Sequence, residues 1–233
     1  MKTLRLILGD QLNPDHSWFK TVREDVVYLM AEMRQETDYA PHHIQKVVAF
    51  FAAMRHFANR RKAEGHKILY YRLTDADNPQ TLPTLVKDAV EKEGCTRFEY
   101  QLPDEYRLDE QLKNLCQELD MPTGVSDSEH FYSTREELAR HFEGKKQLVM
   151  ESFYRMMRKK HGVLFDNGAP TGGSWNYDAQ NRKKWNGTPP IPSIAIPDQD
   201  IGTILKEIQE SGINTIGALD AGSFQWTTTP EDA

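Results

Sequence analysis

Short apolar runs alternate with amphipathic segments through the first 145 residues of this 233-residue chain. The apolar runs are typical of strands buried on both faces, and the segments between them repeat apolar residues at spacings typical of helices. Parallel strands need crossover connections, and helices are the usual crossover. The alternation therefore predicts an α/β fold, a doubly wound, Rossmann-like parallel sheet of about five strands.

The predicted elements fill this α/β domain, which we place at residues 1–145. Pro41 is predicted to open the longest helix as a first-turn proline, and residues 31–39 are predicted to form a polar loop. The predicted strands are 4–8, 25–30, 66–73, 97–102 and 123–126, and the predicted helices are 41–64, 81–93 and 107–119.

Residues 146–233 lose this period and are predicted to form an irregular and helical linker. It contains helices at 149–161 and 201–211, a glycine-rich loop at 168–176 and a proline-rich connector from Pro189 to Pro197. Thr229 and Pro230 resemble an N-cap and a first helical residue. We therefore expect a fragment whose next, helical domain starts near Thr229.

Composition excludes several protein classes. No run of about 18 apolar residues is present, and the chain begins with a strand rather than a signal peptide, so a soluble, cytoplasmic protein is expected. Cys95 and Cys116 are too few for a disulfide framework or a four-thiolate cluster. Residues 150–190 carry 7 Lys and Arg against 3 Asp and Glu, and this basic segment either lines another domain or faces phosphate.

Sequence motifs give no catalytic or metal site. Gly172-Gly173 lacks the Lys-Ser/Thr of a P-loop and favours a tight turn, and Gly9 alone cannot make a dinucleotide fingerprint. His42 and His43 would point about 100° apart on a helix and could not chelate one ion together. We predict no catalytic residue and no metal ligand in this chain.

Polar residues gather where the first two predicted strands end. Carboxyl ends of parallel strands are where α/β sheets bind ligands, which favours a flat heterocycle with a polar tail. The alternative is a solvated loop whose acids pair with Lys46 and Arg34. The residues concerned are Asp10, Gln11, Glu32, Glu36, Tyr39, His42, His43 and Lys46.

Three parts of the chain resemble the deoxyribodipyrimidine photolyase-related family, the iron–sulfur branch of bacterial photolyases and cryptochromes. They are residues 6–12, residues 32–43 with 54–57, and residues 151–158 with 172–182. The last part is the most specific, because it contains the string Gly-Gly-x-Trp-Asn-x-Asp-x-x-Asn-Arg.

The resemblance implies that residues 1–145 are an antenna domain for 6,7-dimethyl-8-ribityllumazine. It also implies that FAD, a [4Fe–4S] cluster and the damaged-DNA surface belong to a carboxyl-terminal domain beyond residue 233. This chain would then not be catalytic alone. Carried over position by position, the antenna site comprises Asp10, Gln11, Met33, Glu36, Tyr39, His43 and Lys46.

The resulting hypothesis is that this chain is the antenna part of a DNA photolyase. The full-length protein would repair UV damage, (6-4) photoproducts in particular, by light-driven electron transfer from FAD. Three alternatives stay open: a blue-light photoreceptor without repair activity, a stand-alone nucleotide- or flavin-binding regulatory module, and an interaction domain without a ligand. The oligomeric state is also open.

Overall fold

A five-stranded, all-parallel sheet forms the centre of the α/β part of the chain, with strand order β4-β2-β1-β5-β6. The computed structural model describes residues 1–182, 184–193 and 199–232. The elements are β1 Thr3–Leu6, β2 Val26–Ala31, α1 Gln35–Asp38, β3 His42–His43, α2 Ile44–Ala63, β4 Ile68–Tyr71, α3 Leu82–Glu93, β5 Arg97–Gln101, α4 Tyr106–Glu118, β6 Thr123–Ser126, α5 Arg135–Phe142, α6 Met150–His161, β7 Phe165–Asp166, β8 Ala169–Pro170, α7 Asp178–Asn181, α8 Gly202–Ser211 and β9 Thr215–Ile216.

The two faces of the sheet pack against different helices. Along β2, Val27 and Leu29 point to the layer of α3 and α4, whereas Tyr28 and Met30 point to the layer of α2 and α8. This alternation follows from the two-residue period of a strand. The doubly wound α/β class predicted from the sequence is confirmed.

The chain divides into two compact units. One is Met1–His130 with Ala195–Ala233, and the other is Phe131–Ile194. The first unit contains the sheet, and α8 packs on it through Ile204 and Ile208. The division at residue 145, which we predicted between an antenna domain and a linker, concerns function and stays a prediction.

The start of the longest helix was predicted wrongly. Pro41 does not open it; α2 begins at Ile44, because His42 and His43 form the short strand β3, which pairs in parallel with β9. His43 is the N-cap, and its Nδ1 accepts the Gln45 backbone N–H at 3.2 Å. Local sequence favoured a helical proline, and a partner from the far end of the chain overrides it.

Other differences are smaller. The polar loop predicted at 31–39 contains the one-turn helix α1, and helix α5 was not predicted. The residues from Thr229 form a turn in which the Asp232 N–H donates to the Thr229 carbonyl at 3.3 Å. Pro197, the predicted end of the proline-rich connector, lies outside the described residues.

The unit Phe131–Ile194 is organised around α6. Phe153 of α6 packs beside Phe142 of α5, with 6.1 Å between ring centroids. Arg158 is buried, and its guanidinium donates to the carbonyl oxygens of Val163 and Trp175, both at 3.1 Å. Gly172-Gly173 lie in a tight turn, as predicted.

Within residues 1–182, 184–193 and 199–232, no helix is long and apolar enough to cross a bilayer.

Candidate functional site

A cavity of about 240 Å³ opens at the carboxyl ends of β1 and β2, between α2 and the starts of α3 and α4. The chain extends the sheet from β1 to β2 and β4, then returns to add β5 and β6 on the other side of β1. Such a reversal of strand order separates the loops after neighbouring strands, and α/β proteins bind ligands in the resulting crevice.

The cavity has an apolar interior and a polar rim. Met33, Phe51 and Met54 line its interior, and each of these residues is only 4–5% exposed. Such a surface suits a flat ring. The polar groups at its rim come from Asp10, Glu36, Tyr39, His42, Lys46 and Glu105.

Glu36 is held in place by Arg107. Arg107 Nη2 donates to Glu36 Oε2 at 2.7 Å, Nη1 donates to Oε1 at 3.3 Å, and the guanidinium lies 4.6 Å from the Tyr39 ring centroid. The bond to Glu36 and a further bond to Glu105 raise the pKa of Arg107, so this cation is permanent. Arg107 therefore orders three residues of the rim.

The Glu36 carboxylate still has room for one more donor. Its Oε1 accepts from Arg107 and from Gln35 Nε2, the latter at 3.0 Å, whereas Oε2 accepts from Arg107 alone. A carboxylate oxygen has two lone pairs. Among the described residues, Oε2 thus keeps one acceptor position for a ligand.

Asp10 lies at the mouth of the cavity. Part of its side chain is exposed, but the surrounding protein atoms reduce its hydration, and this raises the pKa of the carboxyl group. The nearby carboxylates of Asp104 and Glu36 raise it further. The mouth is therefore unfavourable for additional negative charge.

His42 and Lys46 also belong to the rim. Lys46 Nζ lies 3.3 Å from His42 Nδ1, and the His42 ring packs edge-on against Tyr39 with 5.1 Å between centroids. The alternative to a ligand site was a solvated loop whose acids pair with Lys46 and Arg34. Arg34 does pair with Asp38 at 2.8 Å, whereas Lys46 contacts His42.

Two predicted site residues do not line the cavity. Gln11 is 1% exposed, and its amide accepts from the Leu8 N–H at 3.0 Å and donates to the Gln101 and Leu102 carbonyls at 3.2 Å. His43 caps α2. The structure brings the other five predicted residues together at the cavity: Asp10, Met33, Glu36, Tyr39 and Lys46.

Glu32, which belongs to the polar group at the strand ends, is a structural residue. It is fully buried and accepts from Arg55 Nε at 2.6 Å, from Arg55 Nη2 at 2.8 Å and from Tyr70 Oη at 2.6 Å. The Leu73 N–H supplies a further bond at 3.0 Å. Burial and the neighbouring Glu32 carboxylate raise the pKa of Tyr70, so its hydroxyl keeps its proton.

Sequence reasoning missed Glu105, Arg107 and Leu108, which follow β5. The signal was present, because Glu105 and Arg107 come shortly after a predicted strand end. The sequence prediction of the site used only the residues that follow the first two strands. The loop after β5 reaches the cavity because β5 pairs with β1.

Within the part of the chain that the structure describes, no group of three or more His, Cys, Asp or Glu could hold a metal ion. Cys95 is buried in the core and Cys116 is half-buried on α4.

Comparison with known proteins is consistent with this architecture. The family model of the deoxyribodipyrimidine photo-lyase-related protein matches residues 5–226. A (6-4) photolyase of Agrobacterium fabrum is 32% identical over 98% of this chain, which spans 46% of that protein. An uncharacterized protein of Acanthamoeba polyphaga mimivirus is 25% identical over 78% of this chain and 95% of its own length. The chain therefore belongs to the deoxyribodipyrimidine photo-lyase-related family.

Proposed function

We propose that this chain is the antenna-binding part of a photolyase-related protein, and that its cavity binds an uncharged heterocycle with a polyol tail, specifically 6,7-dimethyl-8-ribityllumazine. The observation that carries the proposal is Glu36, fixed by Arg107 at the rim of an apolar cavity and left with one open acceptor position.

The lining supports both parts of such a ligand. The buried side chains of Met33, Phe51 and Met54 offer an apolar surface for the ring. Glu36 would accept an N–H or hydroxyl group, and Asp10 and Lys46 would bond to the tail. Gln11 and His43 are not among the proposed ligand contacts, because the side chains of both accept hydrogen bonds from backbone N–H groups.

The charges at the rim favour a neutral ligand over a phosphate ester. Asp10, Glu36 and Glu105 supply three carboxylates, against the two cations Lys46 and Arg107, and Arg107 is already bonded to both glutamates. In a partly enclosed site, an unpaired like charge is costly. Riboflavin should therefore bind better than FMN, which carries the same ring and chain with a phosphate added.

We further propose that the longer protein repairs (6-4) photoproducts in DNA, as the name of its Agrobacterium fabrum relative suggests. FAD would supply the electron, and it would lie with the [4Fe–4S] cluster outside this chain. Within the chain, Cys95 and Cys116 cannot hold such a cluster, because two thiolates do not supply its four ligands. The proposed role of this chain is to hold and orient the antenna pigment.

A second candidate function is a stand-alone ligand-binding module. The mimivirus relative supports it, because this chain matches 95% of the length of that protein. A relative that consists almost entirely of the matched region therefore exists.

The test is to purify the chain from cells that make the lumazine, record its absorption spectrum, and identify by mass any molecule released on denaturation. A released lumazine supports the proposal. A colourless protein that takes up neither added lumazine nor riboflavin refutes it. Recovery of FMN would instead contradict the preference for an uncharged ligand.

A further inference from the structure

We infer that residues 211–217, which run from the last residue of α8 through β9, position residues 34–43, which form one wall of the cavity. Ligand binding and the packing of residues 211–217 are then thermodynamically coupled. The inference deepens the proposed function and rests on it, since it concerns the same cavity. We call residues 211–217 the brace and residues 34–43 the wall.

The wall contributes several groups to the cavity but little regular structure of its own. Glu36, Thr37, Tyr39 and His42 line the cavity. The wall contains only the four-residue helix α1 and the two-residue strand β3. Elements this short are not stable alone, because one turn of helix or one pair of bridges does not offset the lost backbone entropy. Contacts from elsewhere must hold the wall.

The brace holds the beginning of the wall through Arg34. Arg34 Nη1 donates to the Ser211 carbonyl at 3.0 Å, across a separation of 177 residues. Its Nε donates to Asp38 at 2.8 Å. Arg34 therefore connects α1, which carries Glu36, to the carboxyl end of α8.

The brace holds the end of the wall through β9. His42 pairs in parallel with Thr215, and His43 pairs with Ile216. The next residue, Gly217, has φ +79°, and a Cβ there would overlap the imidazole of His43 and lie 2.7 Å from Cδ2. Glycine is thus needed at 217 for both conformation and close approach.

The brace is itself anchored in the core. Ile208 of α8 is 2% exposed and Ile213 is 8% exposed, and both belong to the apolar layer between the sheet and α2. Glu207 of α8 forms ion pairs with Arg55 and, at 3.6 Å, with Arg72. Both ends of the wall are therefore tied to one rigid segment.

Coupling of this kind is reciprocal. If the brace keeps the wall in its binding shape, then a ligand that requires this shape must stabilise the brace by the same factor. Residues 211–217 do not line the cavity. If a ligand slows their hydrogen exchange, direct contact with the ligand therefore cannot be the cause.

The experiment compares Gly217→Ala with Gly94→Ala by hydrogen exchange and by titration with 6,7-dimethyl-8-ribityllumazine. Gly94, which follows α3 and belongs to neither the brace nor the wall, is the matched control: its φ is +62°, and a Cβ there meets nothing within 4 Å. Both variants carry left-handed strain, but only Gly217→Ala displaces β9 from His43. We expect faster exchange in the wall and about tenfold weaker binding in Gly217→Ala alone.

Two further variants make the result specific. The double variant Gly217→Ala/His43→Ala removes the overlap. Its affinity for the lumazine should therefore be close to that of His43→Ala alone. Arg34→Met tests the other end of the wall and remains informative if Gly217→Ala does not fold, with Asp38→Asn as its control. In the wild type, the lumazine should slow exchange in the brace.

Unchanged wall exchange in folded Gly217→Ala and Arg34→Met would overturn the inference, as would an equal effect of Gly94→Ala. The exchange measurement needs no ligand. If the wild type does not bind the lumazine, the proposed function fails, while wall exchange still decides whether the brace positions the wall.

Discussion

Replacing Glu36 by alanine should abolish retention of the lumazine while leaving the protein folded. Glu36 is about two-thirds buried at the rim, with 34% of its side chain exposed, and Arg107 fixes its carboxylate from one side. The substitution removes the open acceptor on Oε2. It does not leave Arg107 unpaired, because Arg107 also donates to Glu105 at 2.9 and 3.0 Å.

The expected cost in stability is small. Partly exposed ion pairs contribute about 0.2–1 kcal/mol to the free energy of unfolding. For a chain of this size, that corresponds to a fall in Tm of no more than about 4 °C. Thermal unfolding followed by circular dichroism measures this value.

The expected cost in affinity is much larger. A hydrogen bond to a charged group contributes about 1.5–3 kcal/mol. Its loss weakens binding of the lumazine by about 10- to 150-fold. Equilibrium titration, followed by the fluorescence of the lumazine, measures the change in Kd.

Glu110→Ala is the matched control. Glu110 lies on α4, does not line the cavity, and pairs with Lys113 at 2.9 Å with 44% of its side chain exposed. It should lower the Tm by a similar amount and leave the Kd unchanged. A Glu36→Ala protein that binds the lumazine as tightly as the wild type would refute the assignment of Glu36.

Three further predictions separate structural from ligand-binding residues. Glu32→Ala leaves the Tyr70 hydroxyl and the Leu73 N–H without their buried acceptor and Arg55 with Glu207 alone, and it should lower the free energy of unfolding by about 3–5 kcal/mol, measured by urea denaturation; a loss below 1 kcal/mol would contradict this. Gln11→Ala should cost about 1–3 kcal/mol in the same assay, because it leaves backbone groups unsatisfied, and an unchanged urea midpoint would count against that role. The pKa of Asp10 is raised above its ordinary value of 3.8, so the folded state holds this proton more tightly and loses stability as the pH rises from that value through the raised pKa. Asp10→Asn removes this loss, and its Tm relative to the wild type should be higher at pH 7 than at pH 3.5; the same difference at both pH values would contradict the shift.

The sheet could be predicted because its signal is local. In β2, Val27 and Leu29 serve one layer and Tyr28 and Met30 the other, and such a run is apolar on both faces whatever its neighbours are. Strand order β4-β2-β1-β5-β6 has no comparable local signal. It depends on which strand the chain adds on which side.

The candidate site could be predicted in part for the same reason. Asp10 and Glu36 follow β1 and β2 directly, and parallel strands bring such residues to one edge. Arg107 reaches them only because β5 lies beside β1. His43 was placed on a helix because the strand that pairs with it lies about three-quarters of the chain length away.

Gln11 shows a different limit of the sequence. A polar residue after a buried strand either binds a ligand or closes the loop, and both roles favour the same residue type. In the structure, the Gln11 amide oxygen accepts from the Leu8 N–H in the loop after β1, and its NH2 group donates to the carbonyls of Gln101 and Leu102 at the end of β5. Only the position of those carbonyl groups distinguishes the two roles.

The cavity at the ends of β1 and β2 is proposed to bind an uncharged ribityl heterocycle. The decisive measurement is a titration of the wild-type chain with 6,7-dimethyl-8-ribityllumazine, with hydrogen exchange mapped along the sequence. Saturable binding that slows exchange in residues 6–10 and 33–47 is the predicted result. Absence of saturable binding, or protection confined to other residues, would contradict it.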